Sequence, residues 1–359
     1  MTSKHNTKNW MIYGANGFTG KLIAREAKRR KMSVVLAGRS ADKLKSLAFE
    51  LDLPYQAFSL SNIDDIKANL KNISLVLLCA GPFSETSQVM LQACLSLGIH
   101  YLDITGEISV LERVLSQDAE AKKRGSVLIP GVGFDVVPSD CLAALLSEKL
   151  PAAQELNLAF HGEATLSPGT TKTMLEILPR GGKIRREGKL ITIPSFSVFK
   201  QISFNGKSIH CAAIPWGDVA SAFYSTQIPN ITVYGSAPKW SRFFKNPLRL
   251  MSPILRHTKI QTLLRSQIDK YIHGPTELQQ KNARMHLWGE VLNSSTRIEG
   301  SLEIPEGYHF TMLTALRSVE MVLEGKVKAG SYTPSLAFGA DFIKGFENIK
   351  LTFKESSFS

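Results

Sequence analysis

The sequence predicts an α/β fold class: an N-terminal domain built on a parallel sheet, followed by an α+β domain whose sheet is largely antiparallel. Two observations support this prediction. Between residues 10 and 130, short apolar runs alternate with longer amphipathic segments, which is typical of strands joined by crossover helices. Beyond residue 150 the strand-like stretches become longer and fewer helical segments separate them.

In the first part, each short apolar run predicts a strand and each amphipathic segment predicts a helix. The predicted strands are residues 10–13, 34–37, 56–58, 75–79, 100–103 and 127–129. The predicted helices lie near residues 18–30, 41–51, 62–70, 86–97 and 109–124. Six parallel strands are the number expected of a dinucleotide-binding sheet.

The second part is predicted to begin with a helix between Pro138 and Pro151. Strands are expected at residues 155–161, 190–194, 210–214, 222–227 and 284–299, and helices near 307–325 and 334–346. A chain of 359 residues fits two domains, because single cores seldom grow past about 250 residues. We therefore expect domains at 1–138 and 139–332, with residues 333–359 packing back on the first.

Composition and residue spacing exclude several classes of protein. The four cysteines and eight histidines are scattered, so the sequence predicts no metal site. No apolar run reaches the roughly 20 residues that span a bilayer, and no signal peptide is evident, so a cytoplasmic location is expected. The net charge of +12 accompanies no nucleic-acid-binding motif, so no nucleic acid partner is expected.

A glycine-rich run separates the first predicted strand from the first predicted helix. Its members are Gly14, Ala15, Asn16, Gly17, Phe18, Thr19 and Gly20. Glycines permit the tight turn and the close approach of a pyrophosphate, whose charge then lies on the free N–H groups of the helix. Placement between strand and helix favours a Rossmann-type dinucleotide site over the alternative, a plain flexible turn.

The residue after the second strand indicates which dinucleotide is bound. An NAD site usually carries an acidic residue there for the ribose hydroxyls, whereas this chain carries Arg39. A guanidinium can pair with a 2′-phosphate, and Ser40 and Lys43 could add donors, so NADP (NADPH) is the expected cofactor. The alternative, compatible with this one, is that Ser40 caps the next helix and Lys43 lies on its solvated face.

Three further motifs follow the fourth, fifth and sixth strands, at the carboxyl ends where open α/β sheets bind ligands. The first contains Ala80, Gly81, Pro82 and Phe83, the second runs from Tyr101 to Glu107 and the third from Gly131 to Asp140. We expect the first beside the cofactor ribose and nicotinamide, with a rigid turn as the alternative.

Hydride transfer requires a proton donor or a charge stabiliser from the protein. The candidates for this catalytic role are Asp135, Asp103 and Tyr101, with Glu107 as a further acidic residue. Asp135 ranks first because it lies in a glycine-flanked turn. Helix capping is the alternative role for Asp103, Glu107 and Asp140.

Taken in order, these motifs resemble the saccharopine dehydrogenase-like oxidoreductase family, including its trans-acting enoyl reductase-like members. The resemblance extends into the second domain through two further motifs, residues 167–171 (SPGTT) and 328–334 (KAGSYTP). It implies an NADP-linked oxidoreductase with a Rossmann domain and an α+β second domain. The expected reaction is hydride transfer to or from an enoyl, imine or keto group of a small or lipid-like (acyl) substrate.

A basic segment at residues 239–270 carries eight Lys or Arg residues against one acidic residue, Asp269. Aromatic residues Trp240, Phe243 and Phe244 are interleaved with these charges. Such a segment predicts peripheral contact with an anionic membrane or with an acidic carrier protein. The alternative is a helix packed on its own domain with solvated cations and with the aromatics in the core.

Two other functions stay open at this point. The chain could be a non-catalytic module that senses the NADP(H) ratio, or a peripheral membrane protein in which the cofactor is structural. A homodimer is also left open.

Overall fold

The computed structural model describes residues 9–162, 168–177, 179, 181–244, 254–255, 257–272, 276 and 283–357. The chain divides into two compact units, one of Met1–Phe134 with Thr311–Thr333 and the other of Asp135–Phe310 with Pro334–Ser359.

The first unit is built on a parallel sheet of seven strands in the order β15-β6-β5-β4-β1-β2-β3. The strands are β1 (Trp10–Tyr13), β2 (Val34–Gly38), β3 (Tyr55–Ala57), β4 (Leu75–Leu78), β5 (His100–Asp103), β6 (Val127–Ile129) and β15 (Gly330–Ser331). Every residue of β1 and β4 is buried, which explains their uninterrupted apolar sequences: helices cover both faces of a parallel sheet.

The helices of the first unit connect successive strands. They are α1 (Phe18–Arg29), α2 (Ala41–Leu51), α3 (Ile63–Leu70), α4 (Phe83–Leu97), α5 (Ile108–Leu115) and α6 (Asp118–Arg124). Helix α11 (Gly307–Leu323) begins in the second unit and continues in the first. Residues 109–124 are expected to form a single helix, but they belong to two helices, α5 and α6, which a turn at Ser116 and Gln117 separates.

The second unit contains a mixed, largely antiparallel sheet in the order β10-β11-β12-β7-β13-β14-β16, with a β8-β9 hairpin beside β12. Only β7 and β12 pair in parallel among its described strands. The strands are β7 (Glu155–Gly162), β8 (Gly182–Arg186), β9 (Lys189–Ile193), β10 (Phe199–Phe204), β11 (Lys207–Ala213), β12 (Asn230–Ser236), β13 (Arg284–Leu292), β14 (Thr296–Pro305) and β16 (Lys350–Ser357).

The second unit contains helices as well as this sheet. They are α7 (Val137–Lys149), α8 (Pro168–Ile177), α9 (Asp218–Thr226), α10 (Thr258–Tyr271) and α12 (Pro334–Phe338), with 3-10 helices at Lys239–Phe244 and Ala340–Gly345. Helix α7 lies directly on the sheet, because a Cβ at Gly289 of β13 would stand 2.7 Å from a methyl of Leu146.

The fold class predicted from the sequence is confirmed, but several boundaries differ. Of residues 222–227, expected as a strand, 222–226 belong to helix α9 and Gln227 is its C-cap residue. Residues 284–299 form parts of two strands joined by a turn. The domain ranges also need correction. Residues 334–359 belong to the second unit, where β16 pairs with β14, whereas residues 311–333 are the segment that returns to the first.

No helix in the described part of the chain is long and apolar enough to cross a bilayer.

Candidate cofactor site

The glycine run forms the turn between β1 and α1. Position 14 within this turn accommodates only glycine. Its φ of +93° lies in a region that residues with a side chain rarely adopt, and an added Cβ would lie 2.7 Å from the backbone N of Ala80. The N–H groups of Gly14 and Ala15 both donate to the carbonyl of Ala37, at 2.8 and 3.1 Å. The turn is therefore held between the ends of β2 and β4.

Gly17 stands in front of helix α1, as its N-cap residue, with φ −75° and ψ 171°. A Cβ there would meet a single heavy atom within 4 Å, the carbonyl oxygen of Gly14 at 3.2 Å. No acidic side chain lies in the first turn of α1, so nothing there offsets the partial positive charge of the helix end. Open space before an uncompensated helix N-terminus fits a pyrophosphate.

Strand β2 passes close to the glycine run and presents cationic side chains just beyond it. A Cβ at Gly38 would lie 2.8 Å from Oδ1 of Asn16. Arg39 and Lys43 are exposed, and neither forms a salt bridge with a described residue. Ser40 occupies the N-cap position of α2, but its hydroxyl makes no capping hydrogen bond. All three side chains are thus available to a phosphate.

The predicted turn after β4 is present, and its helix N-terminus is already occupied. The backbone N–H groups of Phe83 and Ser84 donate to the two carboxylate oxygens of Glu107, each at 2.8 Å. The hydroxyl of Thr86 donates to the carbonyl of Ala80 at 2.6 Å, and the peptide between Gly81 and Pro82 is cis. Glu107 therefore caps α4, not the helix that follows it, and its charge disfavours a second anion at that end.

Tyr101 and Asp103 form a buried pair at the carboxyl end of β5. The hydroxyl of Tyr101 donates to Oδ2 of Asp103 at 2.7 Å, while Oδ1 accepts from the N–H groups of Thr105 and Gly131 at 3.0 and 2.9 Å. Both side chains are 0% exposed. Burial raises the pKa of Asp103 to about 6, against the lowering effect of these hydrogen bonds. The structure thus argues against the predicted catalytic role for this pair: the two residues join the loops after β5 and β6.

The loop after β6 is fixed by helix α11, a contact that the sequence analysis missed. The N–H of Phe134 donates to Oγ1 of Thr311 at 2.9 Å, and the hydroxyl of Thr314 donates to the carbonyl of Val132 at 2.8 Å. A Cβ at Gly133 would lie 2.9 Å from Cγ2 of Thr311. These partners are about 180 residues apart in sequence, so no local pattern could have revealed them.

The third motif continues into the second unit, where Asp135 is the first residue. Its side chain is half-buried, and its backbone carbonyl accepts a 2.9 Å hydrogen bond from the indole N–H of Trp216. Burial raises the pKa of Asp135 to about 7. Among the three predicted catalytic residues, Asp135 is therefore the one that is partly accessible and that titrates near neutrality.

Asp140 and Asp218 lie in the same buried region of the second unit. Asp140 accepts a hydrogen bond from the N–H of Ser335 at 2.7 Å, which joins α7 to α12. Asp218 is fully buried, 2.6 Å from the hydroxyl of Ser139, which also lies 3.1 Å from the carbonyl of Val136. A serine hydroxyl has one proton. Both contacts of Ser139 are satisfied when Asp218 is protonated and donates, which agrees with its pKa, raised well above the usual range chiefly by burial.

We expect the stability of the Asp218→Asn variant, compared with that of the parent protein, to increase as the pH rises. Between the unfolded pKa of about 3.9 and the raised folded pKa, the folded state holds one more proton than the unfolded state, so stability falls by about 1.4 kcal/mol per pH unit. Asparagine keeps a donor toward Ser139 without this loss. The melting temperature of the variant, relative to the parent, should increase from about pH 5 to pH 8. A constant difference over that range would contradict a protonated Asp218.

The remaining motifs have structural roles or lie partly outside the described residues. The N–H and hydroxyl of Ser331 bond to Asp118 at 3.0 Å and to the carbonyl of Val114 at 2.8 Å, which fixes β15 at the sheet edge. Ser167 and residues 245–253 of the basic segment lie outside the described residues. No cluster of potential ligands that could hold a metal ion occurs among the residues that the structure describes.

Comparison with known proteins agrees with these motifs. Residues 10–129 match the family model described as the saccharopine dehydrogenase NADP binding domain. The chain is 30% identical, over 175 residues, to a probable mitochondrial saccharopine dehydrogenase-like oxidoreductase of Arabidopsis thaliana, covering 44% of this chain and 35% of that protein. It is 30% identical over 138 residues to a trans-acting enoyl reductase of Mycobacterium leprae, covering 36% and 33%. The chain spans about a third of the length of these curated relatives.

Among solved structures, the chain is similar to the apo histidine-tagged saccharopine dehydrogenase (L-Glu forming) from Saccharomyces cerevisiae. The TM-score is 0.64 over 97% of this chain and 100% of that chain, at 11% identity, a level at which the likeness concerns the fold alone. The family resemblance predicted from the ordered motifs is confirmed for residues 10–129, which match the model of the saccharopine dehydrogenase NADP binding domain.

Proposed function

We propose that the protein is an NADP(H)-dependent oxidoreductase that transfers hydride to or from an enoyl, imine or keto group of a small or lipid-like substrate. The observation that carries the proposal is the open, acid-free N-terminus of α1, together with the cations Arg39 and Lys43 beyond β2, which form no salt bridge with a described residue. The names of the relatives support the reaction class, since they are an oxidoreductase and an enoyl reductase.

Different groups of the chain bind different parts of the cofactor. The N–H groups at the start of α1 bind the pyrophosphate, and Arg39, Ser40 and Lys43 bind the 2′-phosphate. Glu107 and Asp103 keep the neighbouring loops rigid through the hydrogen bonds described above. The bound nicotinamide supplies or accepts the hydride, so the protein must position the substrate, exclude water and manage one proton.

We assign to Asp135 the role of proton donor. Its pKa of about 7 means that it carries a proton in much of the protein at neutral pH and can release it to a product oxygen, nitrogen or carbon. As the pH rises through 7 this proton is lost, so a reduction that needs it should slow on the alkaline side. Tyr101 and Asp103 are excluded from direct contact by complete burial.

A screen of enoyl, imine and keto substrates with NADPH tests the proposal. We expect turnover with at least one class, seen as loss of the reduced nicotinamide absorbance. Asp135→Asn should lower kcat by about 10²- to 10⁴-fold and remove the alkaline limb of the pH profile, because general acid catalysis contributes that much. NADPH affinity should stay unchanged, which separates a proton-transfer defect from lost binding. A variant with full kcat and the same pH profile would contradict the role of Asp135.

One observation favours a second candidate, a binding protein that senses the NADP(H) ratio. Two of the three predicted catalytic residues are fully buried and committed to structural hydrogen bonds. NADPH binding without turnover of any substrate class would favour this function over the oxidoreductase.

A further inference from the structure

Exposed apolar side chains are concentrated in one stretch of the second unit's sequence. Eleven large hydrophobic residues are exposed in the described chain, and five of them fall between residues 240 and 271. They are Trp240 (58% exposed), Phe243 (66%), Ile254 (57%), Leu263 (60%) and Tyr271 (64%). Singly exposed apolar residues are ordinary, whereas neighbouring ones mark an interaction surface, and Trp240 and Phe243 are neighbours one turn apart on the same 3-10 helix. The alternative that the aromatics belong to the core is contradicted for Trp240 and Phe243.

Helix α10 belongs to this stretch, and none of its described side chains is buried. Ile260, Leu264 and Ile268 recur every four residues, as on the inner stripe of an amphipathic helix, yet each is only half-buried. Outside that stripe, Leu263 is exposed together with Lys259 and Lys270. The helix therefore presents apolar area to solvent beside positive charge.

The charged side chains described in this region are cationic. Lys239, Arg242, Lys259 and Lys270 form no salt bridge with a described residue. Two of these cations lie over exposed aromatic rings: the Arg242 guanidinium is 4.8 Å from the Phe243 ring centroid, and Nζ of Lys270 is 5.2 Å from that of Tyr271. We call residues 239–243, 254–255, 257–268 and 270–272 together the basic aromatic surface.

We propose that the basic aromatic surface docks on an anionic phospholipid bilayer. Positive charge complements the headgroups, and tryptophan with long aliphatic side chains is suited to the boundary between headgroups and acyl chains. Lysine and arginine can keep their charges at the headgroups while their aliphatic stems lie against apolar material. Positive charge and exposed apolar side chains are both present, and stable peripheral binding requires two such signals.

Vesicle binding tests the proposal with the full chain. We expect co-sedimentation with vesicles of phosphatidylcholine containing roughly one third phosphatidylserine, and little with phosphatidylcholine alone. Binding should weaken as salt is raised, because the Debye length falls from about 10 Å at 0.1 M to about 3 Å at 1 M. Trp240 is the most exposed of the four tryptophans. Binding should therefore shift the tryptophan emission to the blue, and Trp240→Phe should remove the shift while most of the binding persists.

Two variants separate the charge from the apolar contribution. Each cation near an anionic surface raises affinity about five-fold, so Lys259→Glu with Lys270→Glu should lower binding by at least about 25-fold. Trp240→Ser with Phe243→Ser should lower it by about ten-fold or more, and brominated acyl chains should no longer quench the emission. Lys45→Glu with Phe49→Ser is the matched control, because Phe49 is 91% exposed on α2, in the other unit. This control should bind as the parent does.

Melting temperatures of all variants show whether they are folded, since every replaced side chain is exposed. A parent protein that ignores phosphatidylserine vesicles at low salt would overturn the proposal, including the case in which it binds an acidic protein instead. Binding that the control pair weakens as much as the surface variants do would overturn it as well.

Discussion

Replacing Gly17 by valine should lower NADPH affinity by at least about 100-fold while the protein stays folded. The branched side chain would fill the space before α1, where the pyrophosphate is expected to meet the helix N–H groups, and losing two charge-assisted hydrogen bonds costs that much or more. The backbone of Gly17, with φ −75° and ψ 171°, suits a β-branched residue, and its Cβ would press only on the Gly14 carbonyl. Calorimetric titration with NADPH and circular dichroism provide the two measurements.

Gly14→Val is the matched contrast. Because Gly14 has φ +93° and its Cβ would meet the backbone of Ala80, this variant should lose stability as well as binding. If Gly17→Val were folded and bound NADPH normally, the glycine run would be a plain turn and the cofactor would have to bind elsewhere.

Arg39→Asp should remove or reverse the preference for NADPH over NADH. Losing one charge-assisted contact to the 2′-phosphate should weaken NADPH binding by about 10- to 150-fold, and the new carboxylate would also repel the phosphate. NADH lacks that phosphate, so its affinity should fall little, and the carboxylate can accept from the ribose hydroxyls. Stability should not change, because Arg39 is exposed and makes no salt bridge with a described residue.

Lys45→Asp makes the same change of charge two residues beyond Lys43 on α2, which places it on a different side of the helix. It should leave the preference intact, so that a general loss of positive field is distinguished from a specific contact. Equal effects of the two substitutions would argue for long-range electrostatics instead of a bound phosphate.

The first sheet could be predicted well from the sequence because its signals are local. A buried parallel strand such as β4 has an uninterrupted apolar sequence, and the glycine run lies directly between a strand and a helix. The apolar and aromatic side chains of residues 222–227 predict a strand, which is wrong, because residues 222–226 belong to helix α9. Val219, Ala220 and Ala222 are buried on the helix instead, in a pattern set by tertiary packing.

The cofactor site was predictable only where function depends on residues near in sequence. Arg39 directly follows β2 and Gly17 directly precedes α1, so prediction of that strand and that helix is enough to place them. The partnership of Glu107 with the start of α4 spans 24 residues, and nothing in the spacing distinguishes it from capping of the next helix. Thr311 holds the loop after β6 from a distant part of the chain, which only the folded structure reveals.

Titration of the unmodified protein with NADPH and with NADH tests the central claim most directly. If the 2′-phosphate is bound beyond β2 by Arg39, with Ser40 and Lys43 as further donors, NADPH should bind about 10- to 150-fold more tightly than NADH. The difference should shrink as salt is raised, because the phosphate contact is with exposed cations. Equal affinity for the two cofactors, or no binding of either, would contradict the account.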